Sequence, residues 1–220
     1  MKKIFATELN LIKPEEVKKF RELCNRYTGI ITTHLNHEDI TDRIGIPAVE
    51  FEVTECGLNI YHNGIMMDKW EEYKARIRNE LSNEIMSVHF DISDEFEAEA
   101  DRIEFKEGLI TVVKYSKGIH DIDERMNIFF QEWPKFTSVN VGNTLFIMPT
   151  GISKGIAVRF IYNMIKANEL IVFGENESDL SLLAIADKAY VHSGSELLGK
   201  HVEAARVYSS LSEVVKEITE

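Results

Sequence analysis

The chain has 220 residues, 44% hydrophobic and 28% charged, enough to enclose a sizeable core in one large domain or two small ones. Its 37 acids outnumber 25 bases, and the formal net charge of −12 argues against non-specific binding to nucleic acid or an acidic membrane, which call for a basic surface. The opening MKKIFATELNLIKPEE has too short an apolar stretch for a secretory leader, and no segment reaches the roughly 18 to 20 apolar residues of a membrane span, so a soluble, cytoplasmic protein is expected.

Ile4 to Thr7 reads as a short apolar strand. Pro14 sits where a first helical turn tolerates it, and Val17, Phe20, Leu23, Cys24 and Tyr27 then form a helical apolar stripe. Ile30 and Ile31 begin a second strand, followed by a short helix near Glu38 to Ile44. From about Ala48 to Ile147 the pattern changes. Val49 to Val53 alternates strictly, as do parts of Leu109 to Val113 and Thr137 to Val141, predicting antiparallel strands with one wet face. Helices are predicted around Asp68 to Ile85 and Asp121 to Phe130. The acidic run Asp91 to Glu99 reads as a solvated loop or helix face, and Trp70 and Trp133 as packing residues of this middle part.

The strand–helix alternation then resumes. Ile156, Ala157, Phe160, Ile161, Met164 and Ile165 line one helix face, Leu170 to Phe173 is a strand, Leu180 to Ala186 is helical, and Ala189 to Val191 is a strand. Val207 closes the series before a final helix. Continuous apolar strands between amphipathic helices are the pattern of a parallel sheet covered on both faces. The fold class expected is therefore α/β: a Rossmann-like doubly wound core of residues 1–47 and 148–220, with an α+β cap of residues 48–147 inserted. In such sheets ligands bind beyond the carboxyl ends of the strands.

Polar residues gather where those ends are predicted: Glu8 and Asn10, Thr32 and Thr33, and Glu175 to Asp179. Gly151-Ile-Ser-Lys-Gly155 opens the helix between them. A lysine and the backbone amides of a helix start can hold a phosphate, strand-end hydroxyls can bond its oxygens, and carboxylates from two strand ends can bind Mg²⁺, which prefers oxygen ligands. Another reading of "GENESD" is purely structural: Asn176 caps the helix, Asp179 holds the capping-box position, and acids suit a helix N-terminus. The seven histidines are scattered, with only His34 and His37 at a weak metal-like spacing. Cys24 and Cys56 lack metal-ligand spacing and read as buried thiols, and Asp121-Ile-Asp123 reads as an ordinary acidic helix start.

In this order the motifs resemble those of the haloacid-dehalogenase superfamily. "SKGIAVRFI" followed by "LIVFGENESDLSLLAIADKAYV" is similar to the lysine and metal motifs of its phosphatases, and "ECGLNIYHNG" and "DKWEEY" resemble the segments that open the large cap of the sucrose-phosphatase and Cof-like branches. The resemblance implies a Mg²⁺-dependent phosphomonoesterase acting on sugar phosphates through an aspartyl-phosphate, with a second aspartate as general acid and base. Carried onto this sequence, Glu8 takes the nucleophile position and Asn10 the acid–base position. Thr33, with Thr32 as the alternative, and Lys154 face the phosphate, while Glu8, Glu175 and Asp179 are the metal ligands. The family pattern has aspartates where this chain has Glu8, Asn10 and Glu175. A misplacement of about 1 Å can cost on the order of a hundredfold in rate, and lost acid–base help roughly a hundred- to ten-thousandfold. Weak or absent hydrolysis is therefore expected. The alternative is a non-catalytic descendant that binds a small phosphorylated ligand or a protein.

Overall fold

A computed structural model describes residues 2–41, 49–195, 197–198 and 205–219. The chain divides into two compact units, Met1–Met67 with Ser153–Glu220, and Asp68–Ile152.

The first unit begins with β1 (Lys3–Glu8), a turn of 3₁₀ helix at Leu9–Leu11, another at Pro14–Glu16, and α1 (Val17–Cys24). β2 (Thr28–Thr32) and α2 (His37–Thr41) follow, then β3 (Phe51–Thr54), β4 (Asn59–His62) and β5 (Ile65–Met66). The helix expected near Glu38 to Ile44 is described only as far as Thr41. The second unit runs through α3 (Asp68–Glu80), α4 (Ser82–Phe96), β6 (Arg102–Lys106), β7 (Ile110–Lys114), α5 (Ile122–Glu132), β8 (Phe136–Val141) and β9 (Thr144–Pro149). The chain returns to the first unit with α6 (Lys154–Ile165), β10 (Glu169–Gly174), α7 (Leu180–Leu183), β11 (Lys188–His192), β12 (Arg206–Tyr208) and α8 (Leu211–Thr219).

Among the described residues the first unit holds an eight-stranded sheet ordered β12-β11-β10-β1-β2-β3-β4-β5. The six strands from β12 to β3 pair in parallel, and β4 and β5 add antiparallel strands at one edge. This is the expected α/β class. Successive side chains of β1 go to opposite faces. Phe5 packs in one layer with Phe20 and Leu23 of α1, Phe173 of β10 and Val214 of α8. Ile4, Ala6 and Glu8 share the other face of the strand.

Two sequence expectations change here. Val49 to Val53 was assigned by its alternation to an antiparallel sheet of the inserted part, yet β3 pairs in parallel with β2, Ile30 beside Phe51 and Thr32 beside Val53. Alternation reports a wet face, not a strand direction, and β3 lies toward the sheet's flank. Its Glu52 carboxylate is half-buried against His37 Nδ1 at 2.6 Å. The first compact unit thus continues to Met67, where the sequence placed its edge at residue 47.

The second unit has a four-stranded antiparallel sheet ordered β6-β7-β9-β8, with α4 packed on β7 and α5 on β8. The single helix expected over Asp68 to Ile85 is two, parted at Leu81, which has left helical geometry (φ −112°, ψ 15°). Ile85, Val88, Ile92 and Phe96 make the buried stripe of α4, so the acidic run from Asp91 lies on a helix through Phe96. Arg125 binds Glu95 and Glu99 at 2.8 and 2.6 Å. β7 was expected to have a wet face, but Ile110 to Val113 are all buried, because it is an inner strand between β6 and β9. Trp70 is fully buried and stacks on Tyr73 at 4.8 Å. No helix among the described residues is long and apolar enough to cross a membrane.

Candidate functional site

β1 lies between β10 and β2, so the chain leaves its carboxyl end where the strand order reverses, the place at which open α/β sheets bind ligands. Glu8 ends β1 in register with Thr32 of β2. Next to them β10 ends at Gly174, and Glu175 follows.

The start of α6 is fixed by two close backbone approaches. Gly57 has φ +103°, and a Cβ there would sit 2.3 Å from the Ser153 carbonyl carbon and oxygen. Gly155 packs so tightly on α7 that a Cβ would sit 2.1 Å from the Ser181 carbonyl oxygen. Ser153 caps the helix, its Oγ accepting the Ile156 N–H at 3.2 Å. Lys154, first residue of the helix, is thereby held in the interior with no exposed surface.

There its ammonium donates to Glu8 Oε2 and, at 2.8 Å, to Asp179 Oδ1. All three side chains are fully buried. The other Asp179 oxygen, Oδ2, accepts the backbone N–H groups of Glu175 at 2.9 Å and Asn176 at 3.2 Å. Asn176 Oδ1 in turn accepts from the N–H of Ser178, completing a capping box. The capping reading of Asp179 thus holds, and the same side chain also pairs with Lys154, a contact the sequence reading did not include.

Burial raises the Glu8 carboxyl; Lys154 opposes that shift, and Asp179 adds to it, leaving the group at about 7. Burial pulls the Lys154 ammonium down, but Asp179 and Glu8 outweigh it, and the group stays charged far above neutral pH. Glu175 is raised by burial first and by Asp179 second. Cys56, buried beside this network, is pushed by desolvation to about 12, which leaves it an un-ionised thiol at neutral pH.

The structure thus gathers Glu8, Lys154 and Asp179 into direct contact. Thr33 is buried, with its Oγ1 accepting the Leu35 N–H at 3.1 Å. Thr32 is also buried, and its Oγ1 has no partner among the described residues. Glu175 is only partly buried, and Asn10 lies exposed in the turn after β1. Sequence reasoning missed the Glu55-Cys56-Gly57 turn, in which three consecutive residues have positive φ (50°, 59° and 103°) against the start of α6. Its signal was the glycine in "ECGLN", which was read instead as the opening of the inserted part.

Two of the three expected magnesium ligands are tied up as they stand. Mg²⁺ takes about six oxygens, several of them usually waters, with one or two protein carboxylates. Both Asp179 oxygens are already engaged and the Lys154 ammonium lies between Asp179 and Glu8, so Glu8 Oε1 and the partly buried Glu175 carboxylate are what this set would offer an ion. No group of three histidine, cysteine or acidic residues suited to a metal is found among the described residues.

No curated protein sequence is significantly similar to the chain. Among solved structures, the sucrose-phosphatase of Synechocystis sp. PCC6803, in complex with sucrose and phosphate, superimposes with a TM-score of 0.78 at 15% identity, over 99% of this chain and 96% of that one. A haloacid dehalogenase-like hydrolase from B. subtilis gives 0.63 at 14% identity, over 100% and 99% of the two chains. Trehalose-6-phosphate phosphatase from Aspergillus fumigatus gives 0.64 at 15% identity, over 99% and 91%. At such identities the likeness shows a shared fold. The family described as haloacid dehalogenase-like hydrolase matches residues 10–202, most of the chain. The chain therefore belongs to the haloacid dehalogenase-like hydrolase family.

Proposed function

We propose that this family member descends from Mg²⁺-dependent phosphatases of the sugar-phosphate type and hydrolyses phosphomonoesters weakly or not at all. The observation that supports this most is the closed Glu8–Lys154–Asp179 network. Its carboxylates are fully buried, and Lys154, the cation expected to face a phosphate, is engaged by both. A nucleophilic carboxylate must be ionised and aligned on phosphorus. Glu8, with its carboxyl raised to about 7, is protonated in about half of the molecules at neutral pH and in most of them below it. The position two residues on is Asn10, whose amide cannot serve as acid or base. The sucrose and phosphate bound in the Synechocystis enzyme support the ancestral substrate class. Retained binding of a small phosphorylated ligand without turnover is the second reading, favoured by the unpartnered Thr32 Oγ1 at the strand end, a hydroxyl able to donate to a phosphate oxygen.

The test is hydrolysis of p-nitrophenyl phosphate and a panel of sugar phosphates with Mg²⁺. The unmodified protein, Glu8→Ala and the double variant Glu8→Asp/Asn10→Asp are compared. The expected result is that unmodified protein and Glu8→Ala are indistinguishable from background. Robust turnover by the unmodified protein that Glu8→Ala abolishes refutes the reading.

A further inference from the structure

The second unit contains a cavity of about 350 Å³ whose walls belong to that unit alone: the carboxyl half of α3, the segment Pro149–Gly151, and Lys135 just before β8. We propose that this cavity is a binding site for a small organic anion, an oxyanion group carried on a ring.

Its walls are held in place before any ligand arrives. The Tyr73 hydroxyl donates to the Gly151 carbonyl at 3.1 Å, and the ring is backed by Trp70. The Thr150 N–H donates to the Lys135 carbonyl at 2.8 Å, tying the two sides of the rim together. Glycine at residue 151 lets the Ile77 side chain reach the rim, since a Cβ there would lie 2.9 Å from Ile77 Cδ1 and displace it. A wall already ordered spares a ligand part of the entropy cost of binding.

The charges favour an anion. Arg76 and Lys135 face one carboxylate, that of Glu80, among the lining residues. The Arg76 guanidinium carbon lies 5.7 Å from the centre of the Tyr73 ring, and no carboxylate among the described residues pairs with it. Its planar fork suits the paired oxygens of a carboxylate or phosphate. Lys135 pairs with Glu84 at 2.7 Å, but both side chains are substantially exposed, and such pairs contribute little and are easily exchanged. A cation-lined cavity is also unusual for a chain of net charge −12. Ile77 and the Tyr73 ring supply the apolar surface for the rest of the ligand. Carboxylate and phosphate share this chemistry, and the probes separate them.

Isothermal titration of the full chain with phenyl phosphate, benzoate and neutral benzyl alcohol tests the site. One or both anions should bind saturably, with benzyl alcohol at least about tenfold weaker. Arg76→Ala should weaken the anion about tenfold, Arg76→Lys less, because it keeps the charge and loses the fork. Glu8→Gln, in the other unit, should leave the affinity unchanged. Because Arg76 is exposed, its variants should melt as the parent does, which checks the fold. The anion that binds tighter identifies the group recognised. Absence of saturable binding by both anions at millimolar concentration overturns the proposal. So does binding that Arg76→Ala leaves intact, or that Glu8→Gln abolishes.

Discussion

Replacing Lys154 by methionine keeps an unbranched chain in the same space and removes one charge. Glu8 and Asp179, neither with any exposed surface, would then face each other without a cation. At the 2.8 Å separation of Lys154 and Asp179, two unit charges interact by roughly 6 kcal/mol at an effective dielectric constant of about 20. The desolvation already suffered by both groups offsets part of that gain, and removing one partner of a buried pair typically costs about 3–5 kcal/mol. For a chain of this size each kcal/mol shifts Tm by about 2–4 °C, so Lys154→Met should melt roughly 6–20 °C below the parent at pH 8. The gap should narrow at pH 5, where Glu8, at about 7 even beside the lysine, becomes neutral. Adding Glu8→Gln should recover part of the loss at pH 8 by removing one uncompensated charge. Calorimetric melts of the three proteins at the two pH values measure this. A working catalytic site predicts the opposite sign, because functional groups held against their own stability gain Tm when removed. A Lys154→Met variant as stable as the parent at pH 8 refutes the structural role given to this network.

Three further outcomes follow from the same geometry. Glu8 ordinarily titrates at 4.5, and in the folded chain at about 7, so between those values the folded state binds the extra proton. Its contribution to stability is therefore greatest below pH 4.5 and declines by roughly 3 kcal/mol as pH rises through 7, and urea midpoints should show Glu8→Gln flattening that slope. Gly57→Ala meets both a φ of +103° and a backbone carbonyl at 2.3 Å, so it should cost more than the roughly 1–2 kcal/mol of left-handed strain alone, read as a fall in urea midpoint. Thr32→Val removes a buried hydroxyl that has no partner among the described residues, and should be neutral or stabilising by about 1 kcal/mol, whereas Thr33→Val loses the bond to the Leu35 N–H and should destabilise by a similar amount in the same assay.

Much of the first unit was legible because its strands are buried on both faces. Ile4 to Thr7 and Leu170 to Phe173 are continuous apolar runs, and both became inner strands, paired Ile4 to Leu170 through Thr7 to Phe173. β3 was not legible in the same way. Its alternating glutamates reported a wet face, and that face is shared by antiparallel strands and by parallel strands near a flank. The break between α3 and α4 carried no glycine or proline. It lies at Leu81, where the buried stripe of Trp70 and Ile77 gives way to that of Ile85 and Val88, a change of direction that needs the sheet beneath to be seen. At the site, position at the strand ends and at the start of the intervening helix placed Glu8, Lys154 and Asp179 near one another, and the three are in contact. It could not reveal that Lys154 sits between both carboxylates, because that depends on how closely Gly57 and Gly155 let the backbone approach.

That closeness bears on the weak or absent hydrolysis proposed for this site. A glutamate at residue 8 is one methylene longer than aspartate, and here the added reach ends on the Lys154 ammonium. Asp179 holds the same ammonium while bonding two backbone amides, so it cannot turn toward a ligand without opening the helix cap. Displacing Lys154 toward a phosphate would leave Glu8 and Asp179 buried and uncompensated, the same state that Lys154→Met creates, at a comparable cost of about 3–5 kcal/mol. A phosphate arriving at the strand ends must supply that energy before any bond to phosphorus forms. Restoring aspartate at residue 8 shortens the side chain and loosens this hold, so Glu8→Asp/Asn10→Asp should gain phosphate affinity as well as an acid–base group. Inorganic phosphate titrated against parent, Glu8→Asp and the double variant by calorimetry separates the two effects: an affinity for Glu8→Asp equal to the parent's would show that the ion network does not exclude the anion, and the proposed loss of turnover would then rest on the missing acid and base.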